Sequence, residues 1–281
     1  MIKASAQPLD LDLPKAQLGE GIQWDESSSS LWWVDIVGKH IHRYDLATGS
    51  HRSWSMSKDV SFVFPDVGGN LLVGLSNGVY VFDPETGDER PLAILDLPAK
   101  HRLNDGKIDP DGRLWVGTIN TSAEPSERAA LYLLQGNSLE EVEGGYTNAN
   151  GKAWSADAKI MFHADTGRNT IWAYDYDLPT GKATNKRVFA KTRDGSPDGL
   201  EASGDGHLYA AMFGGSRIEI FSQRGDVVGR IDLPVPNVTS CCSGGPDRKT
   251  LFITTAFDGM SPEARQKAPL SGHVFQVALY A

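Results

Sequence analysis

The sequence predicts an all-β protein with the architecture of a six-bladed β-propeller. Three observations lead to this prediction: helical periodicity is almost absent, short β-branched and aromatic runs recur along all 281 residues, and these runs return at a regular spacing. A unit of 40 to 48 residues that occurs six times matches the blade period of a propeller, in which four-stranded blades surround a central channel. A β-sandwich is the alternative, and it does not account for a sixfold repeat.

Two apolar runs define each repeated unit. The first runs start 40, 43, 46, 48 and 43 residues apart, at 31–34, 71–73, 114–116, 160–162, 208–210 and 251–253. The second runs lie at 41–45, 79–83, 131–134, 171–175, 218–221 and 274–277. Most first runs follow a turn signal such as Asp111-Gly112, so each pair predicts a β-hairpin. We expect one propeller domain over residues 1–281, with the N-terminal residues completing the last blade.

Composition limits the possible partners. The formal net charge is -9 and no Lys/Arg-rich block occurs, which argues against nucleic acid and anionic membranes and leaves a small-molecule ligand. No run approaches the roughly 18 apolar residues of a membrane span, and Asp10 and Asp12 fall where a signal peptide needs an apolar core. We therefore expect a cytoplasmic protein, as a monomer or small homo-oligomer. Cys241 and Cys242 are adjacent and predict buried free thiols.

A polar cluster precedes the first run of the third blade. Arg102, Asn104 and Asp105 stand just before Gly106, a pattern typical of a loop that faces a pocket. The residues from 109 to 113 that follow are more simply a solvated turn. For Arg102 and Asn104 the turn explanation is weaker, because neither residue is needed to form it.

Other blades have oxygen-bearing side chains at the equivalent position. Glu20, Asn150 and Asp198 stand ahead of the first runs of blades one, four and five. Because equivalent positions of a propeller converge at one end of the channel, we expect these three side chains to meet on the axis, with Arg102 and Asn104 beside them. Three oxygen ligands without histidine or cysteine suit a hard divalent cation with open positions for water. A turn is the alternative for any single Glu-Gly or Asn-Gly pair.

Several longer motifs stand in a fixed order along the chain. They are Leu18-Gly19-Glu20-Gly21 with Trp24, Arg102-x-Asn104-Asp105-Gly106-Lys107-x-Asp109-Pro110, Gly117-Thr118, Asn150-Gly151-x-x-Trp154-Ser155, Pro197-Asp198-Gly199, and Thr239-Ser240-Cys241-Cys242 with Gly244-Gly245. In this order they resemble the regucalcin (senescence-marker-protein-30) and gluconolactonase family over nearly the whole chain. The resemblance implies a six-bladed propeller with a central metal site. It places the metal ligands on Glu20, Asn150 and Asp198, the sugar-binding residues on Arg102 and Asn104, and the proton transfer on Asp198.

The chain departs from the family pattern at two places. Regucalcin-type members have a sugar-contacting glutamate a few residues after the Gly-Thr pair, where this chain has Ser122, with Glu124 nearby. We assign Ser122 to substrate binding, and the change leaves the identity of the sugar open. In blade four, Lys152 replaces an apolar residue, and Ala156 and Ala158 replace the usual Pro and Gly. We expect this second departure to alter only a turn.

These residues fit metal-dependent hydrolysis of a sugar-acid lactone, such as glucono-, xylono- or arabinono-lactone, to the aldonic acid. A divalent cation polarises the carbonyl, and Asp198 transfers the proton. The ligand set does not distinguish Ca²⁺, Mg²⁺, Mn²⁺, Fe²⁺ and Zn²⁺. Two alternatives share the fold: a regucalcin-like propeller that binds a divalent cation without catalysis, and a metal-dependent esterase or phosphotriesterase.

Overall fold

The computed structural model describes residues 2–66, 68–122 and 128–279. These residues form twenty-five β-strands in six sheets, and the sheets are the blades of a six-bladed β-propeller, as the repeat predicts. Helix is confined, within the described ranges, to α1 (Pro262–Lys267) and a 3₁₀ turn at Thr166–Arg168. No helix among these residues is long and apolar enough to cross a membrane.

The strands follow one another blade by blade. The N-terminal segment forms β1 (Ile2–Ser5) and β2 (Gln7–Pro8). Blades I to III comprise β3 (Gly19–Asp25), β4 (Ser30–Asp35), β5 (His40–Asp45), β6 (His51–Ser55), β7 (Val60–Pro65), β8 (Leu71–Leu75), β9 (Gly78–Phe82), β10 (Glu89–Ile94), β11 (His101–Ile108), β12 (Leu114–Asn120), β13 (Ala129–Gln135) and β14 (Ser138–Tyr146). Blades IV to VI comprise β15 (Ala149–Trp154), β16 (Ile160–Asp165), β17 (Thr170–Asp177), β18 (Lys182–Lys191), β19 (Ser196–Ala202), β20 (Leu208–Phe213), β21 (Arg217–Phe221), β22 (Val227–Asp232), β23 (Asn237–Gly244), β24 (Thr250–Ala256) and β25 (Phe275–Ala278).

The N-terminal strands close the ring. β2 pairs antiparallel with β25 and supplies the outermost strand of blade VI. The other three strands of this blade come from the C-terminal part of the chain. β1 pairs in parallel with β22 and adds a fifth strand to blade V. The expected completion of the last blade is confirmed, and the N-terminal segment in addition links blade VI to blade V.

The predicted hairpins are the second and third strands of each blade. The first strands β3, β7, β11, β15, β19 and β23 contact one another in sequence and surround the axis. The sequence did not reveal these inner strands, and the stretch around Arg102 and Asn104 was taken for a loop. It lies in β11 instead, because the polar residues that interrupt the alternation of strand side chains belong to a bulge in that strand.

The apolar core lies between the blades. The described residues form six buried clusters, one at each junction of neighbouring blades, and each cluster combines side chains from both sheets. Cys241 and Cys242 are buried free thiols in two of these clusters, as predicted. The radial packing leaves the polar residues of the inner strands together on the axis.

Candidate active site

The inner strands share one irregularity at the equivalent position. The pairing of each inner strand with its neighbour shifts register between Glu20 and Gln23, Val60 and Phe62, Leu103 and Gly106, Ala149 and Lys152, Pro197 and Leu200, and Val238 and Ser240. A β-bulge of this kind adds a residue to one strand and redirects side chains out of the regular alternation. The six bulges therefore gather polar side chains around the axis.

A glycine in the bulge allows neighbouring inner strands to approach closely. A Cβ atom at Gly151 would overlap the main-chain carbonyl of Asp198, and one at Gly199 would overlap Ser240. Any side chain at these two positions would push the inner strands apart. The glycines that follow Asn150 and Asp198 are therefore required by packing on the axis, independently of any turn.

The three predicted ligands lie side by side. Glu20, Asn150 and Asp198 are 7%, 3% and 4% exposed, and the Asp198 carboxyl interacts with both the Glu20 carboxyl and the Asn150 amide. Asn150 Nδ2 donates to Thr166 Oγ1 at 3.0 Å, which fixes the orientation of the amide. Thr166 Oγ1 in turn donates to the carbonyl of Pro197 at 2.9 Å, so that blades IV and V are joined next to the site.

The two carboxyls are electrostatically strained in the absence of a cation. Burial and, second to it, the nearby charge of Asp105 together raise the pKa of Glu20 from 4.5 to about 8. Burial also raises the pKa of Asp198 well above its usual range, followed by the charges of Glu20 and Asp105. Two buried carboxyls that interact with each other need either a proton or a positive counter-charge.

The cluster offers acceptor atoms that fit a cation. Asn150 Oδ1 and Asp198 Oδ1 are both buried, and neither has a hydrogen-bond partner among the described residues. Buried acceptors without donors are costly, and a hard divalent cation satisfies them. No group of three His, Cys, Asp or Glu side chains suited to a metal occurs in the described ranges. The set proposed here has two carboxylates and an amide, and its role as ligand set stays a prediction.

Arg102 and Asn104 form a directed chain of hydrogen bonds beside this cluster. Arg102 Nη1 donates to Asn104 Oδ1 at 2.8 Å and to the carbonyl of Leu103 at 2.9 Å. Asn104 Nδ2 then donates to Asn148 Oδ1 at 2.8 Å, across to the segment before β15. The charge of the buried Arg102 guanidinium interacts with Glu20 and Asp198. Donors with a fixed direction thus lie next to the two carboxyls.

Ser122 lies beyond the end of β12, at the end of blade III where β11 begins. Its main-chain N–H and its hydroxyl donate to Asn120 Oδ1 at 3.0 Å and 2.7 Å. Asn120 pairs with His101, directly before Arg102. Ser122 is therefore on the Arg102 side of the blade, while Glu124 falls outside the described residues. A contact of Ser122 with substrate stays a prediction.

The expectation for Lys152 was wrong. Ala156 and Ala158 do lie in the turn between β15 and β16, but Lys152 lies within β15 and its side chain is fully buried. Its Nζ donates to Asp105 Oδ1 at 2.7 Å and to the carbonyl of Asn150 at 2.8 Å. The lysine therefore belongs to the axial channel, directly next to the candidate ligands. Sequence reasoning missed this because the bulge, not seen in the pattern, changes which side chains of β15 face the axis.

A cavity of about 230 Å³ occupies the other part of the channel. The C-terminal halves of the inner strands line it, including Trp24, Phe64, Lys107, Lys152 and Glu201. None of Glu20, Arg102, Asn104, Asn150 and Asp198 is in this lining, although Asp105 and Lys152 are. The pair of Asp105 and Lys152 thus stands between the cavity and the candidate ligands.

Three residues of the site were not assigned a role from the sequence. Asp105 was noted only as part of a polar cluster, Lys152 was placed in a turn, and Asn148 was only a neighbour of Asn150. Asp105 could have been assigned to the site from the sequence, because it stands next to Asn104 in the same motif. Asn148 could be recognised only from its hydrogen bond to Asn104, which joins residues 44 positions apart.

Comparison with known proteins identifies the family. Residues 18–257 match the model of the SMP-30/gluconolactonase/LRE-like region. The chain belongs to this family. The matched range contains all of the candidate site residues, and the resemblance inferred from the motifs is confirmed.

Individual relatives agree with this assignment. The chain is 33% identical over 272 residues to a Bacillus subtilis (strain 168) protein whose name, sugar lactone lactonase YvrE, is provisional; the match covers 94% of this chain and 92% of the relative. It is 34% identical over 268 residues to the regucalcin of Danio rerio, covering 94% and 91%. Among solved structures, a calcium-binding regucalcin of Agrobacterium tumefaciens str. C58 superimposes with a TM-score of 0.93 at 25% identity, covering 99% of this chain and 96% of that one.

Proposed function

We propose that this protein hydrolyses the lactone of a sugar acid to the free aldonic acid, at the axial site of Glu20, Asn150 and Asp198 with one divalent cation. The family and the lactonase name of one relative support this reaction class. The observation that carries the proposal is the buried acceptor atoms Asp198 Oδ1 and Asn150 Oδ1, which have no hydrogen-bond partner among the described residues and lie beside Glu20 and the directed donors of Arg102 and Asn104.

The site supplies the groups that lactone opening needs. A divalent cation held there would polarise the carbonyl and lower the pKa of a water molecule. Asp198 takes a proton from the attacking water, whose oxygen forms the new bond to the carbonyl carbon. The bond from that carbon to the ring oxygen breaks, and Asp198 returns the proton to the ring oxygen, which leaves as a hydroxyl group of the aldonic acid. General acid–base catalysis of this kind contributes roughly 10²- to 10⁴-fold.

Arg102 and Asn104 orient the substrate. Sugar lactones carry several hydroxyl groups, and a guanidinium and an amide of fixed orientation bind such groups in one arrangement. Asn104 uses its Oδ1 to accept from Arg102 and one N–H to bind Asn148, so the remaining N–H has a defined direction. This pair favours a hydroxylated substrate over the apolar substrate of an aryl esterase.

A second candidate function is cation binding without catalysis. The regucalcin of Agrobacterium tumefaciens is described as a calcium-binding protein, and the carboxyl pair suits that role equally well. A metal-dependent esterase or phosphotriesterase on the same fold is a further alternative.

One experiment separates these functions. Acid release would be followed by pH-stat from a panel of pentono- and hexonolactones, using metal-stripped protein and protein with Ca²⁺, Mg²⁺, Mn²⁺, Fe²⁺ or Zn²⁺ added back. We expect cation-dependent hydrolysis of at least one lactone above its spontaneous rate. Cation binding without hydrolysis across the panel would contradict the proposal and favour the binding function, and p-nitrophenyl acetate and paraoxon in the same assay report on the esterase alternative.

A further inference from the structure

We propose that Lys152 is a positioning residue that limits how tightly the axial site binds its cation, because its ammonium group neutralises Asp105 and anchors the main chain at Asn150. The inference rests on the proposed function, since it concerns the same cation site. It goes beyond that function by assigning a role to Lys152, a fully buried charged residue that the proposed reaction does not use.

The hydrogen bonds of Lys152 join it to Asp105 and to the main chain of Asn150. Nζ lies 2.7 Å from Asp105 Oδ1, 3.1 Å from the Asp105 carbonyl and 2.8 Å from the Asn150 carbonyl. The two main-chain carbonyl oxygens only accept, so they use two N–H groups of Nζ, and the third contact places one proton between Nζ and Asp105 Oδ1. The Lys152–Asp105 pair is therefore neutral overall. Because the lysine side chain is fully buried, this ion pair is shielded from solvent and its charges act strongly on their surroundings.

The pair faces the candidate cation site. The charge of Asp105 acts on both Glu20 and Asp198, and the charge of Lys152 acts on Glu20 and Asp105. Without Lys152, the carboxyls of Glu20, Asp198 and Asp105 would all act on a cation at the site, with only the Arg102 guanidinium opposing them, whereas with Lys152 the charge of Asp105 is offset as well. Lower negative charge would weaken cation binding and would leave a cation held there more electrophilic toward a lactone carbonyl.

Arg102, whose charge also acts on Glu20 and Asp198, is unchanged in every variant tested below, and the next charged neighbours form a pair of their own. Lys107, whose charge also acts on Lys152, lies 2.9 Å from Glu201. Glu201 Oε1 accepts from the main-chain N–H of Ser243 at 3.1 Å. This second pair is neutral overall. The charge felt by the candidate ligands can therefore be changed at Lys152 and Asp105 while the neighbouring pair stays intact.

The test is a double-mutant cycle on the full chain, with Ca²⁺ affinity measured by isothermal titration calorimetry at pH 8. Lys152→Met keeps most of the length of the side chain and removes its charge. We expect Lys152→Met to lower the Kd for Ca²⁺ at least tenfold while kcat for the lactone falls. Asp105→Asn is expected to raise the Kd at least tenfold, because it leaves the ammonium unopposed. The combined variant, which is neutral at both positions, is expected to return to within about threefold of the wild type, since the two charges cancel.

The outcomes separate a positioning role from a structural one. A lysine that only supported the fold would give weaker or unchanged Ca²⁺ binding in Lys152→Met, and either result overturns the inference while leaving the proposed function intact. If Lys152→Met does not fold, as judged by circular dichroism, Asp105→Asn decides: weaker binding supports the inference and unchanged binding overturns it. Wild-type protein that binds none of Ca²⁺, Mn²⁺ and Zn²⁺ contradicts the proposed cation site and the inference together.

Discussion

Both parts of the axial channel contain acidic side chains, but the acids have different neighbours in the two parts. Toward the N-terminal ends of the inner strands, Glu20 and Asp198 bring two carboxyls against each other. Toward the C-terminal ends, each acid has a base: Asp105 pairs with Lys152 at 2.7 Å, and Glu201 pairs with Lys107 at 2.9 Å. The second region is complete as folded, whereas in the first the Arg102 guanidinium faces two carboxyls, which need a further positive charge from a cation or from protons.

This difference separates structural charges from functional ones. A carboxylate that already bonds to a lysine of the fold has few acceptor sites free for a ligand. Acceptor atoms without a partner, beside donors of fixed direction, are available for binding. The comparison leads to four predictions, which alter one region at a time.

The largest expected effect is on the reaction itself. Asp198→Asn keeps the shape of the side chain and removes its ability to accept a proton. We expect kcat for the preferred lactone to fall roughly 10²- to 10⁴-fold, the usual contribution of a general acid–base group. Initial rates by pH-stat measure this, and Asp205→Asn in an exposed turn of the same blade is the control. A rate within threefold of the wild type would exclude Asp198 as the proton-transferring group.

The second prediction concerns pH. Because the pKa of Glu20 is raised from 4.5 to about 8, the folded cation-free protein holds this proton more tightly than the unfolded chain does. The stability that the protonated carboxyl contributes is fully present below about pH 4.5 and is lost as pH rises through about 8.

A cation must displace this proton, so its affinity should increase with pH by about tenfold per unit for each proton released below the raised pKa. Calorimetric titrations with Ca²⁺ between pH 6 and 8, in buffers of different ionisation enthalpy, measure the affinity and count the protons. In Glu20→Gln the contribution of this carboxyl should disappear. Affinity independent of pH in the wild type would contradict the account of the carboxyl pair.

The third prediction concerns the ion pair of Lys107 and Glu201. Glu201→Leu leaves the mostly buried Lys107 without its partner, and we expect a loss of about 1–3 kcal/mol in the free energy of unfolding. Urea unfolding followed by tryptophan fluorescence measures it. Glu201→Gln, which keeps an acceptor, should lose less, and the combined change with Lys107→Met should recover most of the loss. A Glu201→Leu protein as stable as the wild type would show that this pair is not needed for folding.

The smallest effect is expected at Asn148. Replacing it by Leu removes the acceptor that orients Asn104, and one neutral hydrogen bond is worth about 0.5–1.5 kcal/mol. We therefore expect kcat/KM for the lactone to fall about threefold to tenfold, with the Kd for Ca²⁺ unchanged. Thr184→Ala, at an exposed position of the same blade, serves as control. A loss of Ca²⁺ affinity as large as the loss in kcat/KM would place Asn148 with the cation ligands instead.

The fold was predictable because the second and third strands of each blade repeat an apolar pattern at a constant spacing. The inner strands were not predictable in the same way, since their bulges break the alternation that marks a strand. The convergence of Glu20, Asn150 and Asp198 followed from register alone, because equivalent positions of a closed ring meet at its axis.

The position of Lys152 could not be deduced from the sequence. A lysine two residues after Asn150 is expected in solvent. The bulge in β15 directs its side chain into the channel instead, where Nζ donates to Asp105 of the neighbouring blade. Contacts between blades depend on the rotation of each sheet about its own strand axis, which the pattern of a single strand does not contain. The same holds for the bond between Asn104 and Asn148.

The central claim is that Glu20, Asn150 and Asp198 on the axis hold a divalent cation. Anomalous diffraction from crystals of the full chain grown with Mn²⁺ tests it most directly. We expect a single strong peak bounded by Glu20 Oε, Asn150 Oδ1 and Asp198 Oδ1, with no peak in the cavity beyond Lys152. A fully substituted peak elsewhere with none at these three atoms would contradict the claim.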